Sequence, residues 1–298
     1  MEKFILSCES TVDMPYDDVT ERKIPVLFYS YTVDDQEYMD DMGRDAQALP
    51  RFYKFLEEGK IPSTSQINEF QYEEYLDELL QKGDVLHITF GSGMTGSVYN
   101  AEKAAEILRE RYPERKLVIL DSLCSSSGYG MLLDYAADLR DQGWELEDVA
   151  QWVVEHRKCI HHQFFCTDLK YFRRSGRISG PAAMLGAVLN ICPIMRLDDS
   201  GHIIAYDKVR GKKKAIHRTV EMMEKHVNDG TSYQGKCWIC HANCREDAEE
   251  LKKMIQACFP ELPQEIKIYD IGTIIASHCG PGTVAVFFLG DERESYQK

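Results

Sequence analysis

Glycines at positions 91, 93 and 96 spell G-x-G-x-x-G directly after the apolar run Val85-Leu86-His87-Ile88-Thr89. A strand that passes through a glycine loop into a helix leaves backbone N–H groups free at the positive end of the helix dipole. Such a loop can hold a pyrophosphate, a phosphate or a carboxylate. Asp121 ends the next apolar run, 25 residues beyond Gly96, where the ribose-binding acid of a dinucleotide site would stand. A dinucleotide-dependent oxidoreductase using Gly91, Gly93, Gly96 and Asp121 is therefore one reading of the segment. The surrounding side chains favour a smaller anion. Ser92 and Thr95 lie inside the loop, Ser63-Thr64-Ser65-Gln66 closes another connection, and Ser122 with Ser125-Ser126-Ser127 follows Asp121. Neutral hydroxyls gathered at helix starts suit one carboxylate held by short hydrogen bonds. The same residue types also serve as ordinary helix N-caps.

The elements that would position these residues alternate. Strand-like runs at Lys3–Ser7, Ile24–Tyr31, Asp84–Thr89 and Leu117–Leu120 are separated by helical spacings at Leu49–Glu58, Glu69–Gln81 and Ser97–Arg111. Helices follow at Ser126–Gln142 and Leu146–Arg157. This order predicts βαβ units and a mainly parallel sheet flanked by helices. The second half predicts a further α/β domain, with strands at Pro193–Leu197 and His202–Lys208 about an Asp198-Asp199-Ser200-Gly201 turn. Strands at Cys237–His241, Glu265–Ile271 and Thr283–Leu289 alternate with helices at Lys212–Asn228 and Arg245–Phe259. A length of 298 residues suits two domains, and the boundary is expected between 158 and 159.

Composition narrows the function. The chain carries 35 basic and 49 acidic residues, a formal charge of −14. That balance argues against nucleic-acid binding and against stable docking on an anionic membrane, leaving at most transient peripheral contact. The N-terminal run Phe4-Ile5-Leu6 is too short for an export signal and no window reaches ~18 apolar residues, so a cytoplasmic location is expected. Ten cysteines are then reduced thiols.

Six motifs in order carry a resemblance over essentially the whole chain. They are Glu9-Ser10-Thr11-Val12-Asp13-Met14-Pro15, Thr64-Ser65-Gln66 and Gly91-Ser92-Gly93-Met94-Thr95-Gly96-Ser97-Val98-Tyr99-Asn100-Ala101. Then come Ser175-Gly176-Arg177-Ile178-Ser179, Lys208-Val209-Arg210-Gly211-Lys212-Lys213-Lys214-Ala215 and His278-Cys279-Gly280-Pro281-Gly282-Thr283. The set resembles the DegV family of bacterial fatty-acid-binding proteins. The sequence departs from the family pattern at Glu9, usually Asp, at Gly91, usually Ser, at Thr95, usually Ser, and at Ser175, usually Gly.

The resemblance implies a two-domain α/β carrier, not an enzyme, with no cofactor and one buried long-chain fatty acid. It implies that Thr64, Ser92, Thr95 and His278 hold the carboxylate and that a separate fatty acid kinase phosphorylates it. The small-residue segment Pro181–Leu189 and the residues after it would then line the acyl tail through Met184, Leu185, Val188 and Ile194; a plain buried core helix is the alternative. Basic islands stand out in so acidic a chain, and Arg177 and Arg210 are the expected phosphate- or kinase-facing residues. A solvated helix surface is the plainer account of Lys212–Lys214. His278 could donate to a carboxylate or be satisfied within its loop.

Cys237-Trp238-Ile239-Cys240-His241 spells C-x-x-C-H, and with Cys244 suggests haem or zinc. A strand would send the two thiols to opposite faces, so neither is expected. His161 and His162 have no companion pattern. No G-x-S-x-G or G-x-x-x-x-G-K-[ST] motif is present.

Overall fold

A computed structural model describes residues 3–179, 190–263 and 265–296. The first half runs β1 (Ile5–Glu9), α1 (Tyr16–Glu21), β2 (Val26–Leu27), β3 (Ser30–Val33), β4 (Gln36–Met39) and α2 (Ala48–Glu57). It continues with β5 (Ser63–Thr64), α3 (Glu69–Leu80), β6 (Val85–Thr89), α4 (Ser97–Arg111), β7 (Leu117–Asp121), α5 (Ser126–Asp141) and α6 (Leu146–His156). The second half runs β8 (Ile160–Phe165), α7 (Lys170–Ser175), β9 (Ile178–Ser179), β10 (Ile191–Leu197), β11 (Ile203–Arg210) and α8 (Lys212–His226). Then come β12 (Cys237–His241), α9 (Arg245–Cys258), β13 (Lys267–Asp270), α10 (Thr273–Cys279) and β14 (Val284–Leu289).

The first sheet has the order β2-β1-β6-β7, and every pairing is parallel. β6 is buried along its whole length, as a central parallel strand covered on both faces must be. The helices between strands begin on local signals. Asn68 accepts from Gln71 N–H (3.0 Å) while the Gln71 side chain accepts from Asn68 N–H (3.0 Å), a capping box that starts α3. Chain order reverses between β1 and β6, so the crevice beyond their carboxyl ends is the topological switch point, the usual ligand position of an open parallel sheet.

The run at 24–31 forms two short strands in different sheets. Tyr29 N–H donates to Ser10 Oγ (3.1 Å), which ends the ladder to β1 and turns the chain into the small sheet β4-β3-β5. The second half builds one seven-stranded mixed sheet, β13-β12-β14-β8-β10-β11-β9. β10 and β11 pair antiparallel about the expected turn, where Gly201 N–H donates to Asp198 O (3.1 Å) and Gly201 takes φ +79°.

Two apolar cores lie on the two faces of that sheet. Phe164, Met195, Leu197 and Phe287 join the larger core shared with the first half of the chain. Phe165, Ile194, Val286 and Phe288 join a second core under α8 and α9. Strand alternation sets the division: Ile194 pairs with Phe165, and Met195 with Phe164. Ile194 therefore packs under α8 and α9, which corrects its expected place along an acyl tail. Met184, Leu185 and Val188 lie outside the described residues. The same alternation sends Cys237 to the second core and Cys240 to the first, so the C-x-x-C-H thiols do diverge.

Trimming Ile194 to Val should lower stability by about 0.5–1.5 kcal/mol, the ordinary cost of one buried methyl group. Denaturant unfolding reads this loss, and ligand uptake should match the unmodified chain.

Candidate functional site

The switch point is organised by a buried carboxylate. Glu9 ends β1 with no exposed surface. It accepts from Phe90 N–H (2.9 Å) and from the Tyr72 hydroxyl, and Tyr29 OH stands 3.3 Å from it. These contacts fix the residue that follows β6, the residue that precedes β3 and one face of α3. Tyr29 OH also lies 2.9 Å from Ser97 Oγ, and Ser97 Oγ lies 3.0 Å from Thr95 Oγ1. Tyr29 has one proton: given to Ser97 at the shorter distance rather than to Glu9, with Ser97 donating to Thr95, it leaves the Thr95 proton free to point into the adjoining cavity.

That cavity, about 80 Å³, is bounded by Tyr29, Thr64, Phe90, Thr95, Ile274 and His278. Thr64 arrives on β5, and His278 sits in the last turn of α10. Thr64 Oγ1 and His278 Nε2 are 2.8 Å apart. With a proton on Nε2, His278 donates to Thr64, and the Thr64 hydroxyl proton is free for an acceptor in the cavity. Burial, and then the cations of Arg177 and Arg174, hold the imidazole down to a pKa of about 4, so it is neutral at physiological pH. Gly280 permits the turn after α10: at φ +70° a Cβ there would lie 2.0 Å from the Tyr171 ring.

A second cavity of about 50 Å³ shares the walls Ser125, Phe172, Ile203, Ile275 and Cys279, and extends to Phe164, Leu197 and Phe287. The polar end and the apolar extension therefore adjoin. Thr64, Thr95 and His278, expected together, do meet. Ser92 lies instead in an outer depression with Gly93, Arg177, Ser179 and His202. Arg177 borders both that depression and the inner cavity and is exposed, with its guanidinium donating to Ser175 O. Arg174 is tied beside it through Ser277 O (3.3 Å). Arg210 is also exposed, at the opposite end of β11 from Ile203. Seven residues of strand separate the two, about 23 Å, so Arg210 does not join Arg177 at the mouth.

The glycine loop is filled by protein. A Cβ on Gly93 would lie 2.3 Å from Gly201 O, and one on Gly91 would lie 2.6 Å from Cys124 O. Asp121 Oδ1 accepts from Ser92 N–H (3.0 Å) and Leu123 N–H (2.9 Å), which commits that oxygen to the loop. These glycines admit neighbouring backbone at the positions where a dinucleotide would need its pyrophosphate and ribose. The third hydroxyl cluster is likewise committed in part: Ser126 donates to the Asp13 carboxylate and Ser127 to Asp13 O (3.0 Å). Sequence reasoning missed Tyr29, Phe172, Ile203, Ile274 and Ile275, because one or two apolar residues in each of four separate segments carry no spacing signal.

The family model of the DegV family matches residues 3–291. The chain belongs to the DegV family. A DegV domain-containing protein of Clostridium perfringens is 35% identical over 299 residues, covering 99% of this chain and 100% of that one. A DegV lipid-binding protein of Thermotoga maritima superposes with a TM-score of 0.84 at 25% identity, over 98% of this chain and 100% of its own. A stearic-acid-binding protein of Eubacterium ventriosum has the same fold, with a TM-score of 0.86 at 18% identity, over 96% and 98% of the two chains. No described helix of this DegV protein is long and apolar enough to cross a membrane.

His278 also makes stability depend on pH. Its folded pKa, about 4, lies below the ordinary value of 6.5, so the unfolded chain takes up the proton first. The contribution is present above pH ~6.5 and is lost as pH falls through about 4, with a magnitude of about 3 kcal/mol. Unfolding titrations at about pH 7 and about pH 4 should show a smaller acid loss for His278→Gln than for the unmodified chain.

Proposed function

We propose that this DegV protein binds one long-chain fatty acid, with the carboxylate between Thr64, Thr95 and His278 and the tail in the apolar cavity behind them. The observation that carries the reading is the convergence of three neutral hydrogen-bonding side chains on one end of an apolar cavity. A carboxylate gains from short hydrogen bonds there, and each buried methylene contributes roughly 0.8 kcal/mol behind it. Solved relatives support the choice of ligand. The proteins of Thermotoga maritima and Eubacterium ventriosum bind lipid and stearic acid respectively, and a Eubacterium eligens relative is loaded with heptadecanoic acid.

The finer role is presentation. Arg177 stands at the mouth with Arg174 beside it, and both are close enough to depress His278. Two cations beside a bound carboxylate suit the approach of a phosphate-bearing partner, here a separate fatty acid kinase. The protein contributes a held substrate, and the partner contributes ATP and the transfer. The division into an N-terminal unit of residues 1–158 and a C-terminal unit of 159–298 belongs to the same proposal: the first supplies Thr64 and Thr95, the second His278 and Arg177.

Removing one hydrogen bond to a charged ligand costs about 1.5–3 kcal/mol, roughly 10–100-fold in affinity. Thr64→Val and Thr95→Val should each weaken binding of a saturated C16 or C18 acid by that factor in calorimetric titration. They should change the affinity of the matching fatty alcohol much less. Equal losses for acid and alcohol would contradict a carboxylate held at these threonines.

A further inference from the structure

A second constellation lies away from the cavity, where β8, the end of α8 and the segment after β14 meet. His161 Nε2 is 2.9 Å from Asp291 Oδ1 and 3.0 Å from Asp291 O. His226 Nδ1 is 3.0 Å from Asp291 Oδ1 and 3.3 Å from Oδ2. Both imidazoles are nearly buried, at 4% and 7% side-chain exposure, while the Asp291 side chain is 55% exposed. Two imidazole nitrogens and a carboxylate thus converge within 4.8 Å of one another, with an open side toward water.

We propose that His161, His226 and Asp291 form a binding site for a borderline divalent transition-metal ion, of which Zn²⁺ is the type. Imidazole and carboxylate are the donors such an ion takes, and three protein ligands with water in the remaining position are a common set. The spacing is close to what the ion requires. Tetrahedral coordination at about 2.0–2.2 Å places neighbouring donor atoms about 3.3 Å apart. The nitrogen-to-carboxylate separations of 2.9–3.3 Å need open by only a few tenths of an ångström, and all the donor atoms lie within 4.8 Å of one another.

The backbone holds the donors in register. Asp291 N–H donates to His226 O (2.9 Å), and Gly290 N–H donates to Cys159 O (2.9 Å). His161 stacks on Phe288 at 5.0 Å. The nearest buried cation, Arg293, spends its Nη2 on Leu123 O (2.8 Å) and Arg157 O (3.2 Å). On binding, each nitrogen now facing Asp291 gives its lone pair to the ion, and each ring keeps one N–H on its other nitrogen. No oxidation is involved. The ion would tie the segment after β14 to β8 and α8.

Titration of the full chain with Co²⁺ tests the site. The expected result is one saturable equivalent with the weak visible bands of nitrogen and oxygen ligation, no thiolate charge-transfer band, and a melting temperature that rises with Co²⁺. Asp291→Asn and His226→Gln should each weaken binding at least tenfold. Asp291→Asn changes an exposed side chain and decides the matter alone should His226→Gln fail to fold. Absence of saturable binding, binding that survives Asp291→Asn, or a thiolate band from the cysteines would overturn the proposal.

Discussion

The buried carboxyl group of Glu9 is the constraint around which the rest of the site is arranged. A carboxylate without solvent contact persists only where donors replace its water. Here they come from Phe90 N–H at the start of the glycine loop and from Tyr72 on α3. Those same contacts close the switch point between β1 and β6. Tyr29 OH stands 3.3 Å from Glu9 and 2.9 Å from Ser97, and from Ser97 the hydroxyl chain runs to Thr95. Structure and candidate function therefore meet at Tyr29, whose proton, given to Ser97, orients the hydroxyl that faces the cavity while Phe90 N–H and Tyr72 hold Glu9.

Much of this architecture is legible in the residues. The fully buried run of β6, the capping box of α3 and the Asp198–Gly201 turn declare themselves by local pattern, and local pattern is what a single sequence carries best. The parallel first sheet follows from that alternation. The seven-stranded sheet is less legible, because the pairing of β12 with β13 and β14 joins segments whose order in the sheet depends on packing. The split between β2 and β3 is hidden for a similar reason: it is decided by a side chain, Ser10, nineteen residues away.

The site divides in the same way. Thr64, Thr95 and His278 are visible as hydroxyls and an imidazole in recognisable motifs, and the fold brings them together. Ile194 looks equally apt as an apolar wall, yet strand alternation turns it under α8 and α9. Arg210 sits in a motif as suggestive as that of Arg177, but β11 carries it to the far end of the strand. The glycines at 91 and 93 show the converse. They answer to the close approach of the Gly201 turn and Cys124, which a sequence pattern cannot separate from room for a phosphate.

The most direct test of a carboxylate-holding carrier is the small molecule that leaves with the protein. The chain, purified from a bacterial host, is denatured, extracted into organic solvent and assayed by mass spectrometry for fatty acids and nucleotides. A near-stoichiometric long-chain fatty acid is the result this account predicts. A nicotinamide or flavin nucleotide in that proportion, with no fatty acid, would contradict it and return the glycine loop to the dinucleotide reading.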